Sequence, residues 1–175
     1  IAGDVDMGNW PEQTHRVASV VQLPRMREIF WADRTFSLVG ESTFDGTFHL
    51  FKGGHELAGT FASTQAGLNT LRFDELGGAL QWTSDRFVVS DTTAGFYGGR
   101  LDLRYDMSNL GKPTPGRASF ETDYRGVELT QLTEALEFEG LRLAGQAAGR
   151  NVLNWELGNF ADKNGEGALT VSPPA

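Results

Sequence analysis

From Phe36 onward, apolar and polar residues alternate with a period of two, and glycine or Ser-Asp pairs break the alternation at short intervals. A β-strand sends successive side chains to opposite faces, so this pattern describes strands with one apolar face and one wet face. Strands joined by tight turns run antiparallel, because a parallel crossover needs a dozen or more residues, usually helical. No strand–helix–strand rhythm occurs. The expected fold is therefore all-β and mainly antiparallel, a curled meander sheet of about ten strands with two short helices.

The turns set an expected register. Phe44, Gly46, Phe48 and Leu50 lead to Lys52-Gly53-Gly54-His55, after which Leu57, Gly59 and Phe61 follow. A Gly-Gly pair between alternating runs signals a two-residue hairpin, since such turns demand positive φ. A turn on Gly53-Gly54 would set Leu50 opposite Leu57, Phe48 over Gly59 and Phe61 over Gly46. Likewise Gly78, Leu80 and Trp82 lead to a Ser84-Asp85 turn, with Phe87 and Val89 returning on the same face. Phe96 and Tyr97 lead to Gly98-Gly99, with Leu101, Leu103 and Tyr105 returning. Pro113 and Pro115 interrupt pairing between 108 and 116. Ala118, Phe120, Thr122 and Tyr124 resume it, and further strands are expected at Leu141–Leu143, Leu153–Leu157 and Leu169–Val171.

Two segments depart from the period of two. Pro24 opens a short helix in which Met26, Ile29 and Phe30 share a face and Trp31 falls off it. Between Val127 and Leu136, Leu129, Leu132 and Leu136 take helical spacing. Residues 1–23 form a loosely patterned strand broken at Trp10-Pro11. The chain divides at this level into an N-terminal strand and helix (1–35) and a groove-like antiparallel segment (36–172). Its start in mid-pattern is expected of a piece of a longer protein.

Charge and residue usage exclude several functions. The net charge is −8 with no Lys/Arg cluster, which argues against nucleic acid as a partner and against a polybasic membrane surface. The absence of cysteine removes zinc ribbons, disulfide scaffolds and thiol nucleophiles. No run of about 18 apolar residues occurs, so membrane contact would come only through regions outside this sequence. His15, His49 and His55 are the only histidines, and His49 and His55 fall on opposite faces of their hairpin and cannot close on one metal. Asp45, Glu56, Asp74, Glu75, Asp102, Asp106, Glu121, Asp123, Glu137 and Glu139 alternate with apolar residues or sit in turns, where they keep one face wet. A glycosidase needs two carboxylates converging at a set separation, which alternation alone does not supply. There is no nucleophile elbow, phosphate loop or dinucleotide fingerprint. We expect no enzyme activity, no cofactor and no metal.

The aromatic stripe is the informative feature. Phe44, Phe48, Leu50, Leu57, Phe61, Leu80, Trp82, Phe87, Val89, Leu101, Leu103, Tyr105 and Phe120 are spaced to share one side of consecutive strands. That side is either the core of a closed β-sandwich, serving as a structural or carbohydrate-binding module, or a lining offered to an apolar ligand. Periodicity allows both.

Three stretches resemble a known family. Phe96-Tyr97-Gly98-Gly99-Arg100-Leu101 is similar to the "(F/Y)-x-G-G-x-L" step of AsmA-like proteins. Val127-Glu128-Leu129-Thr130-Gln131-Leu132, followed by Leu141-Arg142-Leu143-Ala144-Gly145 and Gly149, resembles their "V-D-L-x-x-L-…-L-x-G-x-x-x-G" element. The hairpin from Gly46 to Phe61 resembles the repeating hairpins of the related TamB-type proteins. The resemblance covers roughly Phe36 to Val171. It implies a segment of a large Gram-negative envelope protein in the periplasm, anchored in the inner membrane by a region not in this chain. It also implies that the apolar groove carries phospholipid acyl chains toward the outer membrane, with neighbouring segments of the same chain as partners.

Overall fold

The computed structural model describes residues 2–5, 7–8, 11–31, 34–137 and 139–174. Its strands are β1 (Ala2–Val5), β2 (Gln13–Gln22), β3 (Leu38–Phe51), β4 (Gly54–Leu68), β5 (Leu71–Thr83), β6 (Arg86–Phe96), β7 (Gly99–Ser108), β8 (Arg117–Glu128), β9 (Gln146–Glu156) and β10 (Asn159–Ser172). They form one ten-stranded sheet whose spatial order is the sequence order, with antiparallel neighbours throughout. The sheet is open, and β1 and β10 are its edges. Helix α1 (Leu23–Phe30) joins β2 to β3, and α2 (Leu129–Ala135) joins β8 to β9. The all-β meander with two short helices is thus the observed architecture. Among the described residues no helix is long and apolar enough to cross a membrane.

Several details differ from the sequence expectation. The first hairpin turns on Lys52-Gly53, not Gly53-Gly54, so that Phe51 pairs with Gly54. Positive φ falls on Gly53 alone, at +99°, as a turn with its glycine in the second position requires. The register consequently slips by two residues: Phe48 opposes Leu57, Leu50 opposes His55, Phe44 opposes Phe61, and Gly46 opposes Gly59. A slip of two preserves every face, whereas a slip of one would have turned the apolar set outward. The Tyr97-Gly98 turn is likewise one residue earlier than expected, with both residues at positive φ. The Ser84-Asp85 turn is as expected, with Trp82 opposite Phe87 and Leu80 opposite Val89.

Residues 141–143 are not a strand. The segment instead follows α2, with Thr130 Oγ1 donating to the Leu143 carbonyl and the Leu129 amide donating to that of Gly145. The sheet position beside β8 is taken by β9, which begins only at Gln146. Nor does the sheet break at residue 35. β2 pairs with β3 from Gln13↔Leu50 to Gln22↔Glu41, and β1 pairs with β2, so the N-terminal residues supply two strands of the same sheet. Trp10, where the sequence suggested a break, lies outside the described residues.

The sheet is curled. Glu75 and Asp91 take positive φ at register shifts between β5, β6 and β7, and such bulges increase local twist and bend a strand. Helix α1 runs across this sheet. Trp31 follows β2 by one short helix yet touches Tyr105 on β7. Five inter-strand steps cover roughly 24 Å along a flat sheet, and eight helical residues span only about 12 Å. The side chains of Trp31 and Tyr105 close the remaining distance, so α1 lies across the apolar face.

Candidate functional site: the apolar face

Directly paired residues of antiparallel strands lie on the same face, so the register assigns the stripe without ambiguity. Phe44, Phe48 and Leu50 of β3 share a face with Leu57 and Phe61 of β4. Leu57 and Gly59 pair with Trp82 and Leu80 of β5, which pair with Phe87 and Val89 of β6. Val89 pairs with Tyr105 of β7, on whose face lie Leu101 and Leu103, and Tyr105 pairs with Phe120 of β8. All thirteen residues singled out from the sequence therefore occupy one continuous face across six strands. No Asp, Glu, Lys or Arg stands at the alternate positions 44–50, 55–61, 78–82, 87–89, 101–107 or 118–124 of that face.

Burial varies strongly along it. Phe87 is 1% exposed, Met107 4% and Ala118 2%, and Leu101 and Phe44 are also buried. Phe48, Leu57, Phe61, Leu103, Tyr105 and Phe120 are half-buried, and Leu169 and Val171 of β10 are exposed.

The stretch at Phe87, Met107 and Ala118 is covered by α1 and the residue after it. The Phe30 ring lies 5.2 Å from Trp82 and 5.4 Å from Phe87. Trp31 lies 6.0 Å from Phe87 and 6.2 Å from Tyr105. Its indole N–H donates to the Tyr105 hydroxyl at 3.2 Å. Burial raises the Tyr105 phenol above its usual range, partly opposed by that hydrogen bond. The sequence reading placed Trp31 off the helix stripe and Ile29 on it, and both assignments are reversed. Ile29 is 77% exposed, while Leu23, Met26, Phe30 and Trp31 face the sheet. Leu23 decides it: spacing counted from Leu23 includes Trp31, eight residues on, and excludes Ile29. A second cluster, of Val127, Leu129 and Ala147 with Phe96, Tyr97, Tyr124 and Leu132, seats α2 at the opposite end of the strands.

The other face is charged and paired. Arg86 binds Asp106, which Arg104 also approaches, Arg125 binds Asp102 at 2.8 Å, and Arg150 binds Glu121 at 3.1 Å. Arg16 binds Asp45 at 3.1 Å. Asp106 is held below the usual carboxylate range by its hydrogen bond from Arg86, and Asp102 by that from Arg125. For Asp102 and Asp106 the shift favours the ionised acceptor, whereas a glycosidase acid must keep its proton. A polar cleft of about 660 Å³ lies on this side, lined by Arg104, Asp106, Glu121, Asn154 and Asp162 among others.

The histidines separate as the alternation indicated. His49 bonds Glu12 at 3.1 Å on the wet face, and His55 lies on the apolar face, 4.6 Å from the Trp82 ring. Among the described residues no group of three or more His, Asp or Glu is arranged to hold a metal ion. Compared with known proteins, the chain matches no protein-family model, no curated protein and no solved structure.

Proposed function

We propose that this chain is a lipid-carrying segment of a larger envelope protein, with no catalytic role, in which the apolar face receives phospholipid acyl chains. One observation carries the reading: an uncharged, aromatic-rich face continues across six strands of a single open sheet, and all the described strands belong to that sheet. A sandwich would spend some of its strands covering such a face. The resemblance to AsmA-like and TamB-type proteins supports the wider setting. In that setting the protein is periplasmic, anchored in the inner membrane outside this chain, and continued by neighbouring segments that lengthen the groove. Ten strands at about 4.8 Å span roughly 48 Å, about the thickness of one bilayer, so one such piece would be a stretch of a longer conduit.

Recognition on this face rests on apolar area, worth about 25 cal/mol per Å², which senses chain length and not headgroup. The purified chain, treated with a diazirine-bearing phosphatidylcholine and in parallel with an oligosaccharide array, should give acyl adducts at Phe48, Phe61 or Phe120 and no glycan signal. Substituting phosphatidylglycerol should change the yield little. Specific glycan binding without lipid adducts would replace this reading with the carbohydrate-binding one.

A further inference from the structure

Among the described residues, those connecting β2 to β3 are laid on the apolar face over the Phe87 cluster. β2 ends at Gln22, paired with Glu41, and β3 begins at Leu38, paired with Leu68, so both feet stand at the same end of the sheet. Between them the chain reaches inward to Trp82, Phe87 and Tyr105, well down the strands toward their other end. Its two arms are tied together. Arg27 Nε donates to the Phe36 carbonyl at 3.1 Å, its guanidinium lies 5.6 Å over the Phe36 ring, and that ring meets Trp31 at 6.1 Å. Beneath Phe30 and Trp31 lie Phe87, Met107 and Ala118, all three buried.

Two features make this cover dependent on its seat. α1 has eight residues, no side-chain cap on its N-terminus and no acidic residue in its first turn; its local supports reduce to Pro24 near its start and Arg27 in its last turn, and a helix this short draws its stability from packing. Its inward hold is apolar and aromatic contact plus one neutral hydrogen bond, from Trp31 to Tyr105. Contact of that kind is non-directional and scales with area, so a hydrocarbon chain of similar surface can replace it.

From this we infer that α1 and Trp31 (residues 23–31) are a displaceable plug, and that Trp82, Phe87, Tyr105, Met107 and Ala118 under it form an occluded acyl-chain subsite. Phe30 and Trp31 hold in the closed state the place that an acyl chain takes in the open one. The inference rests on the lipid-carrying reading and adds a gate to it.

The chain has no cysteine, so introduced thiols are unique. In Trp31→Cys/Tyr105→Cys, a short bis-maleimide should lock the plug down. Phe30→Ala/Trp31→Ala should release it. With the same diazirine phosphatidylcholine, the released variant should gain three-fold or more in adducts on the peptide bearing Met107. The locked protein should lose them relative to the identical variant left uncrosslinked. Where Phe30→Ala/Trp31→Ala fails to fold, the comparison of crosslinked with uncrosslinked protein decides alone. Equal Met107 labelling in locked and unlocked protein overturns the plug. Adducts at Phe48 or Phe61 that never extend to Met107 in the unlocked forms overturn the plug and leave the lipid-carrying reading standing. No adducts anywhere on the face overturn both.

Discussion

At the level of single residues, the central contact of the first hairpin is a pair of glycines. Gly46 and Gly59 oppose each other, and a Cβ on either would stand 2.7 Å from Phe44 Cζ. The Phe44 ring therefore lies diagonally over both, which explains how a bulky residue on this face is 8% exposed. The neighbouring backbone is closer still. A Cβ on Gly59 would meet the Asp45 carbonyl oxygen at 2.4 Å and Gly46 Cα at 2.6 Å. Gly59→Ala should thus destabilise the chain by about 1–3 kcal/mol, the usual cost of forcing an extra carbon into a packed site. Denaturant unfolding would measure it. Because backbone atoms and not only the ring obstruct the methyl group, adding Phe44→Ala should not restore stability. Recovery in that double variant would show that the ring alone sets the spacing.

At the level of elements, the strands are held to one another on the wet face by arginine–carboxylate pairs that cross from strand to strand. Arg86 of β6 and Asp106 of β7 are the best buried, the Asp106 side chain being 18% exposed. Its carboxyl is depressed in the folded chain, so the pair contributes stability above the ordinary aspartate range near pH 4. That contribution is lost as pH falls through the lower folded value. Asp106→Asn should lower the melting temperature at pH 7 by an amount corresponding to at most about 1 kcal/mol, roughly 3 °C, and the difference from the parent should vanish in acid. Thermal scans from pH 7 to pH 2 would test this, and an unchanging difference would exclude ionic pairing as its cause. The strands themselves were legible because alternation with period two is dictated by backbone geometry. The faces survived a wrong turn assignment at Gly53-Gly54 because the true turn lies one residue earlier, which shifts the pairing by two. What the sequence concealed was tertiary. Trp31 looked stranded while its helix was counted from Pro24, and Leu141–Leu143 looked like a strand because nothing local signals that β8 is already paired to β9.

For the molecule as a whole, the question is whether the apolar face is a passage or simply a core. Its centre is as dry as any core, yet toward β10 it opens to water at Leu169 and Val171, 61% and 51% exposed. A carboxylate placed on each face separates the alternatives. Leu103 is half-buried on the apolar face and belongs to neither helix-covered cluster. Leu103→Asp puts a charge where an acyl chain would pass, and an unpaired charge in apolar surroundings resists both hydrocarbon and desolvation. Thr47 stands on the wet face directly opposite Arg16, which can receive a new carboxylate. If the face is a passage, Leu103→Asp should cut acyl photo-adducts at Phe120 at least five-fold while the protein still accumulates and melts cooperatively. Thr47→Asp should leave both adducts and melting unchanged. A core predicts a different pairing of results: Leu103→Asp would lower stability and yield together, and loss of adducts would follow loss of fold. Parallel measurement of adducts and melting temperature in the two variants distinguishes them, because only a passage lets the charge block the ligand in a chain that remains folded.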